Sequence, residues 1–203
     1  DNKKFTEELD KLGFLIASTK VEHDYAHCDR CQSPVIFRTT KQWFFKVEDI
    51  KERMRKINNE VLWVPKSAYN AFDSWLENLR DNSITRQTVW GTPVPIWECE
   101  SCDKIEVIGS IKELEEKATA KLPKKLHKPW IDDVKLTCSC KKEMKRIPDI
   151  FDVWVDAGST SFTSLSFPKE KELFEKWFPA DFILEGKDQI RGWFNLLMVA
   201  SVL

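Results

Sequence analysis

Ile183-Leu184-Glu185-Gly186-Lys187-Asp188-Gln189-Ile190-Arg191-Gly192-Trp193-Phe194 decides how the rest of the chain is read. Before it, Asp181 to Leu184 has the look of a short strand. After it, Trp193, Phe194, Leu197 and Met198 recur at helical spacing. Between them lies a polar turn that contains Gly186. Strand, turn and helix together form the unit with which open α/β sheets hold ligands at the carboxyl ends of their strands. Gly186 permits close approach of a ligand to the backbone, and Asp188 is an N-cap candidate. Glu185 and Gln189 offer acceptors and donors for hydroxyls and an ammonium. The plainer alternative is a surface loop that caps a core helix.

Working outward, Pro148 to Val155 reads as a second strand, with Asp149, Asp152 and Asp156 interspersed and Asp156-Ala157-Gly158-Ser159 as its terminal turn. Trp154 on that strand is read as a core residue from pattern alone. Lys169 to Trp177 is helical. Farther upstream, Phe5 to Leu12 predicts a helix ended by Gly13. Phe14 to Ala17, Val35 to Phe37 and Gln42 to Val47 predict strands, and Val61 to Pro65 an extended segment. Glu48 to Asn59 predicts a helix with Ile50, Met54 and Ile57 on one face. Tyr69 to Leu79 predicts another, capped by Ser67, with Phe72, Leu76 and Leu79 inward. Gly91, Pro93 and Pro95 make 84–97 rigid and irregular.

The six cysteines fall into three close pairs, Cys28/Cys31, Cys99/Cys102 and Cys138/Cys140. Close pairs without a secretory signal read as metal ligands more readily than as disulfides. Cys99, Cys102, Cys138 and Cys140 fit a zinc ribbon, two thiolates from each pair on one tetrahedral structural Zn²⁺. Free thiols or a disulfide are the alternative. Four thiolates leave a formal −2 on the centre, which the flanking Lys104, Lys141, Lys142, Lys145 and Arg146 are placed to offset. Between the two pairs, Ile111 to Leu122 predicts an acidic, Lys-rich helix. Cys28 and Cys31 are half of a metal site, or two free thiols.

The chain has 203 residues and a net charge of −1, from 32 basic and 33 acidic side chains. That balance argues against a generally cationic nucleic-acid binder. Nine Trp and 13 Phe allow a sizeable core. No apolar run approaches the roughly 18–20 residues that span a membrane, and Asp1-Asn2-Lys3-Lys4 opens an amphipathic helix rather than a signal peptide. A cytoplasmic location with no membrane contact is expected. The sequence starts without Met and stops at the apolar Ser201-Val202-Leu203, so a piece of a larger protein is expected, prone to self-association through exposed core surfaces.

Several motifs carry a resemblance. They are His27-Cys28-Asp29-Arg30-Cys31, Ile84-Thr85-Arg86-Gln87, Trp90-Gly91-Thr92-Pro93-Val94-Pro95 and Leu126-His127-Lys128-Pro129-Trp130-Ile131-Asp132. Asp152-Val153-Trp154-Val155-Asp156-Ala157-Gly158-Ser159 and Glu185 to Phe194 complete the set. In this order they resemble the isoleucyl-tRNA synthetases, class I aminoacyl-tRNA synthetases, over nearly the whole chain. The valyl and leucyl relatives share part of the pattern, and a stand-alone zinc ribbon that binds RNA or protein is the reading from another class. Thr88 and Val89 depart from the usual Arg and aromatic.

The resemblance implies an α/β fold, part of a Rossmann-like catalytic core with inserted zinc-ribbon elements. It implies that 1–40 returns from an editing insert with half a zinc knuckle, and that 41–98 is a core segment. It makes 99–145 a zinc-binding insert and 146–203 a core segment with the adenylate motif. Glu185, Gly186, Asp188 and Gln189 are then the aminoacyl-adenylate contacts, and Trp154 and Trp193 the isoleucine pocket. The implied activity joins isoleucine, ATP with Mg²⁺, and tRNA(Ile). No HIGH-type or KMSKS-type motif occurs in the 203 residues, so no catalytic residue is assigned here and the chain alone is expected to be inactive.

Overall fold

The computed structural model describes residues 2–203, with the side chain of Asn2 left aside. These residues form two compact units, Asp1–Thr40 and Lys41–Leu203.

In the first unit, helix α1 (Asn2–Lys11) ends as its sequence predicts. Gly13 adopts φ +72°. Its N–H donates to Asp10 O at 3.0 Å and that of Phe14 to Leu9 O at 3.0 Å, the paired bonds of a Schellman ending. The strands expected at Phe14–Ala17 and Val35–Phe37 do not form. An isolated bridge between His27 and Pro34 is the nearest approach to one. An extended apolar run needs a neighbour to bond its N–H and C=O groups, and Ile16 and Phe37 are exposed instead.

The second unit opens with β1 (Phe44–Phe45), a fragment of the longer strand expected at 42–47. A 3₁₀ turn at Glu48–Ile50 leads into α2 (Lys51–Asn58), and α3 (Ser67–Glu77) follows. Ser67 is the first residue of α3 rather than its cap. Two-residue strands β2 (Asn82–Ser83) and β3 (Thr85–Arg86) come next. The ribbon holds β4 (Ile96–Glu98), β5 (Ile105–Val107), α4 (Ile111–Lys117), β6 (Lys135–Thr137) and β7 (Glu143–Arg146). After it come β8 (Ile150–Phe151), α5 (Val153–Gly158), α6 (Thr160–Thr163), α7 (Lys171–Trp177), a 3₁₀ turn at Lys187–Arg191 and α8 (Trp193–Val202).

Strand pairing among the described residues is antiparallel throughout: β1 with β2, β3 with β8, and a four-stranded sheet in the order β5-β4-β7-β6. The chain is thus mixed α/β, and no parallel Rossmann sheet occurs among these residues.

Two expectations near the organising stretch are corrected. Residues 181–184 form no strand; Phe182 and Leu184 are each 79% exposed, because no neighbouring strand is there to pair with them. The strand expected over 148–155 is only Ile150–Phe151. Asp152 then accepts a hydrogen bond from Trp154 N at 2.8 Å and caps α5. Val153, Trp154 and Val155 favour strand by propensity, but a capping carboxylate ahead of them favours helix. Helix α4 also stops short of Leu122. Ser110 caps it, accepting from Glu113 N at 3.1 Å. At the other end the chain leaves the helix to lie along β6, with Ala118 bridged to Leu136.

Two cores carry most of the burial. Val47, Met54, Phe72, Leu76, Leu79, Ile190, Val199 and Val202 join α2, α3 and α8. Trp97, Leu114, Ile131, Leu136 and Met144 fill the ribbon together with Cys99 and Cys138. Arg146 is walled into the ribbon's edge with its side chain 0% exposed. It donates from Nε to Asp132 Oδ1 at 2.9 Å and from Nη1 to the carbonyls of Val94 and Asp149, so its charge and donors are satisfied.

Helices α5 and α8 approach to backbone contact. A Cβ placed on Gly158 would stand 2.7 Å from Leu196 Cβ and 2.8 Å from the Leu196 carbonyl carbon and oxygen. Gly158→Ala should therefore push the helices apart and cost about 1–3 kcal/mol. Urea unfolding followed by tryptophan fluorescence measures this; an unchanged midpoint and slope would refute the close packing.

Candidate functional site

The 3₁₀ turn at Lys187–Arg191 starts from Gly186, whose carbonyl accepts from Gln189 N at 3.0 Å. The same Gln189 faces forward into α8. Its Oε1 accepts from Trp193 N at 3.2 Å, and its Nε2 donates to Asp188 Oδ2 at 3.1 Å. Gln189 thus does at the start of α8 what Asp188 was expected to do. Asp188 folds back over Gly186 instead: a Cβ there would lie 2.5 Å from Asp188 Oδ1.

The two tryptophans meet this turn from different helices. Trp154, 43% exposed, lays its ring against the backbone of Gly192. A Cβ on Gly192 would be 3.0 Å from Trp154 Cη2, 3.1 Å from its Cζ3 and 3.3 Å from Gln189 Oε1. A side chain at 192 would make the indole give by a few tenths of an ångström. Trp193 donates from Nε1 to Ala157 O in α5 at 2.9 Å. Gln189, Gly192, Trp154 and Trp193 are therefore gathered at the junction of α5 and α8. Glu185 lies outside this cluster. It is exposed, and its carboxylate makes no hydrogen bond or ion pair among the described residues.

One participant has no signal in hydrophobic pattern. Asp152 is 5% exposed, and Arg86 of β3 forms an ion pair with its Oδ2. An acidic residue just ahead of a helix is the sole sequence sign of that role.

Cys99, Cys102, Cys138 and Cys140 form a second centre. Their four sulfurs all lie within 4.8 Å of one another. Cys99 Sγ to Cys140 Sγ is 3.6 Å, and Cys102 Sγ to Cys138 Sγ is 3.5 Å. Tetrahedral thiolates at about 2.3 Å from a metal would stand about 3.8 Å apart, so the spacing fits. Each pair sits on a tight turn between two strands. Cys99 N donates to Lys104 O and Asp103 N to Cys99 O, both at 2.9 Å; Cys138 N donates to Lys142 O and Lys141 N to Cys138 O, both at 2.8 Å. The two turns place Asp103 and Lys141 at positive φ, 55° and 64°.

Sulfurs this close compete for protons. The N–H of Cys140 and the neighbouring thiols bring the Cys138 thiol down to about 6. For Cys102, the N–H of Lys104 acts downward. Cys138, Cys140 and Cys99, with burial, outweigh it and push the thiol up to about 12. A soft divalent cation relieves that conflict. Of the flanking cations, Lys104 reaches Ser139 Oγ at 3.3 Å. Lys145 is paired with Glu100 at 3.0 Å and Arg146 with Asp132, so these two are committed elsewhere.

The loop at Cys28 and Cys31 repeats two of the bonds of the Cys99 turn. Cys28 N donates to Ser33 O at 2.9 Å, Gln32 N donates to Cys28 O at 2.9 Å, and Gln32 has φ 58°. The Cys31 thiol is lowered, first by its hydrogen bond with the Ser33 side chain. Among the described residues, no second cysteine pair joins this one in a metal cluster.

Residues 6–203 match the family model for tRNA synthetases class I (I, L, M and V). The chain is 46% identical to an Isoleucine--tRNA ligase of Methanopyrus kandleri over 210 residues, which is 95% of this chain and 19% of that protein. It is 48% identical to that of Methanocorpusculum labreanum over 97% of this chain and 19% of that protein. It is 42% identical to that of Archaeoglobus fulgidus over 99% and 19%. The chain spans about a fifth of the length of these relatives. Among solved structures, an Agrobacterium radiobacter LeuRS in a ternary complex with tRNA and LeuAMS matches at 21% identity with a TM-score of 0.39, over 71% of this chain and 21% of that one, too distant to bear on the fold. With the family model matched from residue 6 to the last residue, the chain belongs to the class I tRNA synthetases.

Proposed function

We propose that this chain is the part of an isoleucine-activating enzyme that carries one wall of the amino-acid pocket and the adenylate-binding turn. The gathering of Trp154, packed on Gly192, and of Trp193, whose N–H is held by the Gln189 amide, carries the reading. Large rigid indoles suit a branched aliphatic side chain. Isoleucine against valine is the standard illustration of how little one methylene contributes to selectivity, so the flatness and position of such walls matter.

In this reading Glu185, Gly186, Asp188 and Gln189 hold the aminoacyl-adenylate. Adenylation is an in-line attack of the substrate carboxylate on the α-phosphate of ATP. The carboxylate is already the nucleophile, so positioning dominates and no general base is needed. Glu185 anchors the adenylate, and its exposed carboxylate is free to do so. The Rossmann sheet, the Mg²⁺-dependent handling of ATP phosphates and the binding of tRNA(Ile) belong to the wider enzyme, which works in the cytoplasm. No helix of the described residues is long and apolar enough to cross a membrane.

Zinc is the metal that the four-cysteine centre suits, as a closed structural site without an open coordination position. Cys28 and Cys31 are half of a second such site, completed by a pair outside this chain; their turn's likeness to that of Cys99 supports this.

Elemental analysis of the purified chain should find one Zn²⁺, lost in the double variant C99S/C138S and retained in C28S/C31S. Absence of metal from unchelated protein would defeat the ribbon assignment. Isoleucine-dependent ATP–pyrophosphate exchange should be absent from this chain alone and present in the full-length enzyme. There Glu185→Gln should lower exchange by about 10²-fold, the typical loss of one preorganised polar contact, with no titration gained or lost across pH. Full exchange in that variant would refute the anchoring role.

A further inference from the structure

The position of Trp154 has an unusual origin. An indole 43% exposed is held only in part by burial, and its ring lies against the backbone of Gly192. Its own backbone N–H, however, is fixed. Asp152 Oδ1 accepts from it at 2.8 Å, and Asp152 Oδ2 is ion-paired with Arg86. The N–H of Asp152 donates to Ile84 O at 2.8 Å. Arg86 is itself oriented by bonds from Nη1 to Thr85 O at 2.8 Å and to Ser83 Oγ at 3.4 Å.

The β3–β8 ladder puts Thr85 opposite Phe151 and Arg86 opposite Ile150. The carboxylate therefore sits where the sheet ends and α5 begins, two residues ahead of the tryptophan. An ion pair with one partner half-exposed contributes little to stability. What apolar packing would not supply here is a direction for the first turn of α5.

We propose that Asp152, aimed by Arg86, is a positioning residue that fixes Trp154 as a pocket wall and so sets discrimination among branched aliphatic amino acids. This rests on reading Trp154 as part of the isoleucine pocket. Asp152 does not touch substrate. It acts by removing the freedom of the first helical turn, so that the indole meets the substrate side chain at one angle.

The test uses the full-length enzyme and pyrophosphate exchange with isoleucine, with valine and with varied ATP. Trp154→Ala examines the pocket reading: an unchanged KM for isoleucine overturns that reading and the present inference with it. Given an effect there, Asp152→Ala should raise the isoleucine KM about fivefold to tenfold, the equivalent of a lost helix cap. It should narrow the isoleucine-to-valine ratio by a similar factor and leave the KM for ATP unchanged. Asp152→Asn keeps a capping oxygen and should recover most of both. Arg86→Met should raise the isoleucine KM about threefold, because the carboxylate loses its orienting partner while keeping the cap. Wild-type isoleucine KM and discrimination in Asp152→Ala would overturn the inference, as would an Asn variant no better than Ala or a loss shared equally by ATP and isoleucine. Should Asp152→Ala fail to fold, Arg86→Met, altered at a half-exposed side chain, decides alone; an unchanged isoleucine KM there overturns the inference.

Discussion

The contact between Gly158 and the backbone of Leu196 sets the distance on which the candidate site depends. Two helices this close leave no room for a side chain at 158. Ala157 O then comes within reach of the Trp193 indole N–H, and Gly192 comes under the ring of Trp154. Both tryptophans are thereby referred to backbone atoms, which shift less than side chains do. Helix α8 is also packed on α2 and α3 through Val199, Val202, Met54 and Phe72. The buried Asn195 reinforces that packing by accepting from Trp75 Nε1 at 3.1 Å.

The ribbon solves a different problem. Its apolar core is small, a single tryptophan and a handful of aliphatic side chains around four short strands. Trp97 is buried and still satisfied, because its Nε1 donates to Val134 O at 2.8 Å. Small folds of this kind rely on a staple, and Cys99 and Cys138 belong both to the core and to the sulfur cluster. Packing and the sulfur cluster therefore rest on the same residues.

Helices α2 and α3 were legible because Met54, Phe72 and Leu76 recur at helical spacing on long, uninterrupted segments. The sulfur cluster was legible because ligand chemistry leaves its mark in spacing. The strands were not. Phe14–Ala17 and Asp181–Leu184 have strand composition, but a strand exists only with a partner, and partnership is not a local property. Val153-Trp154-Val155 misled for another reason: their β propensity is real, and the carboxylate of Asp152 overrides it. Within the turn, Gln189 took the capping role expected of Asp188, since its longer side chain reaches Trp193 N across the 3₁₀ turn. Arg146 was read as a counter-charge to the sulfurs, but its buried position makes it the partner of Asp132 and two carbonyls.

The register of the ribbon sheet also bears on the order in which the chain assembles. Trp97 lies directly opposite Arg146, and these residues bracket the whole ribbon. The bond between Trp75 and Asn195 must close a separation of 120 residues. A ribbon formed first removes roughly 50 of them from that loop, and the entropy of closure falls by less than the ~0.6 kcal/mol of one halving. Folding of the ribbon and assembly of the α2–α3–α8 core are thus linked through chain length alone. That linkage is weak, so the two can order in either sequence, and the pairing of β4 with β7 is itself far from local.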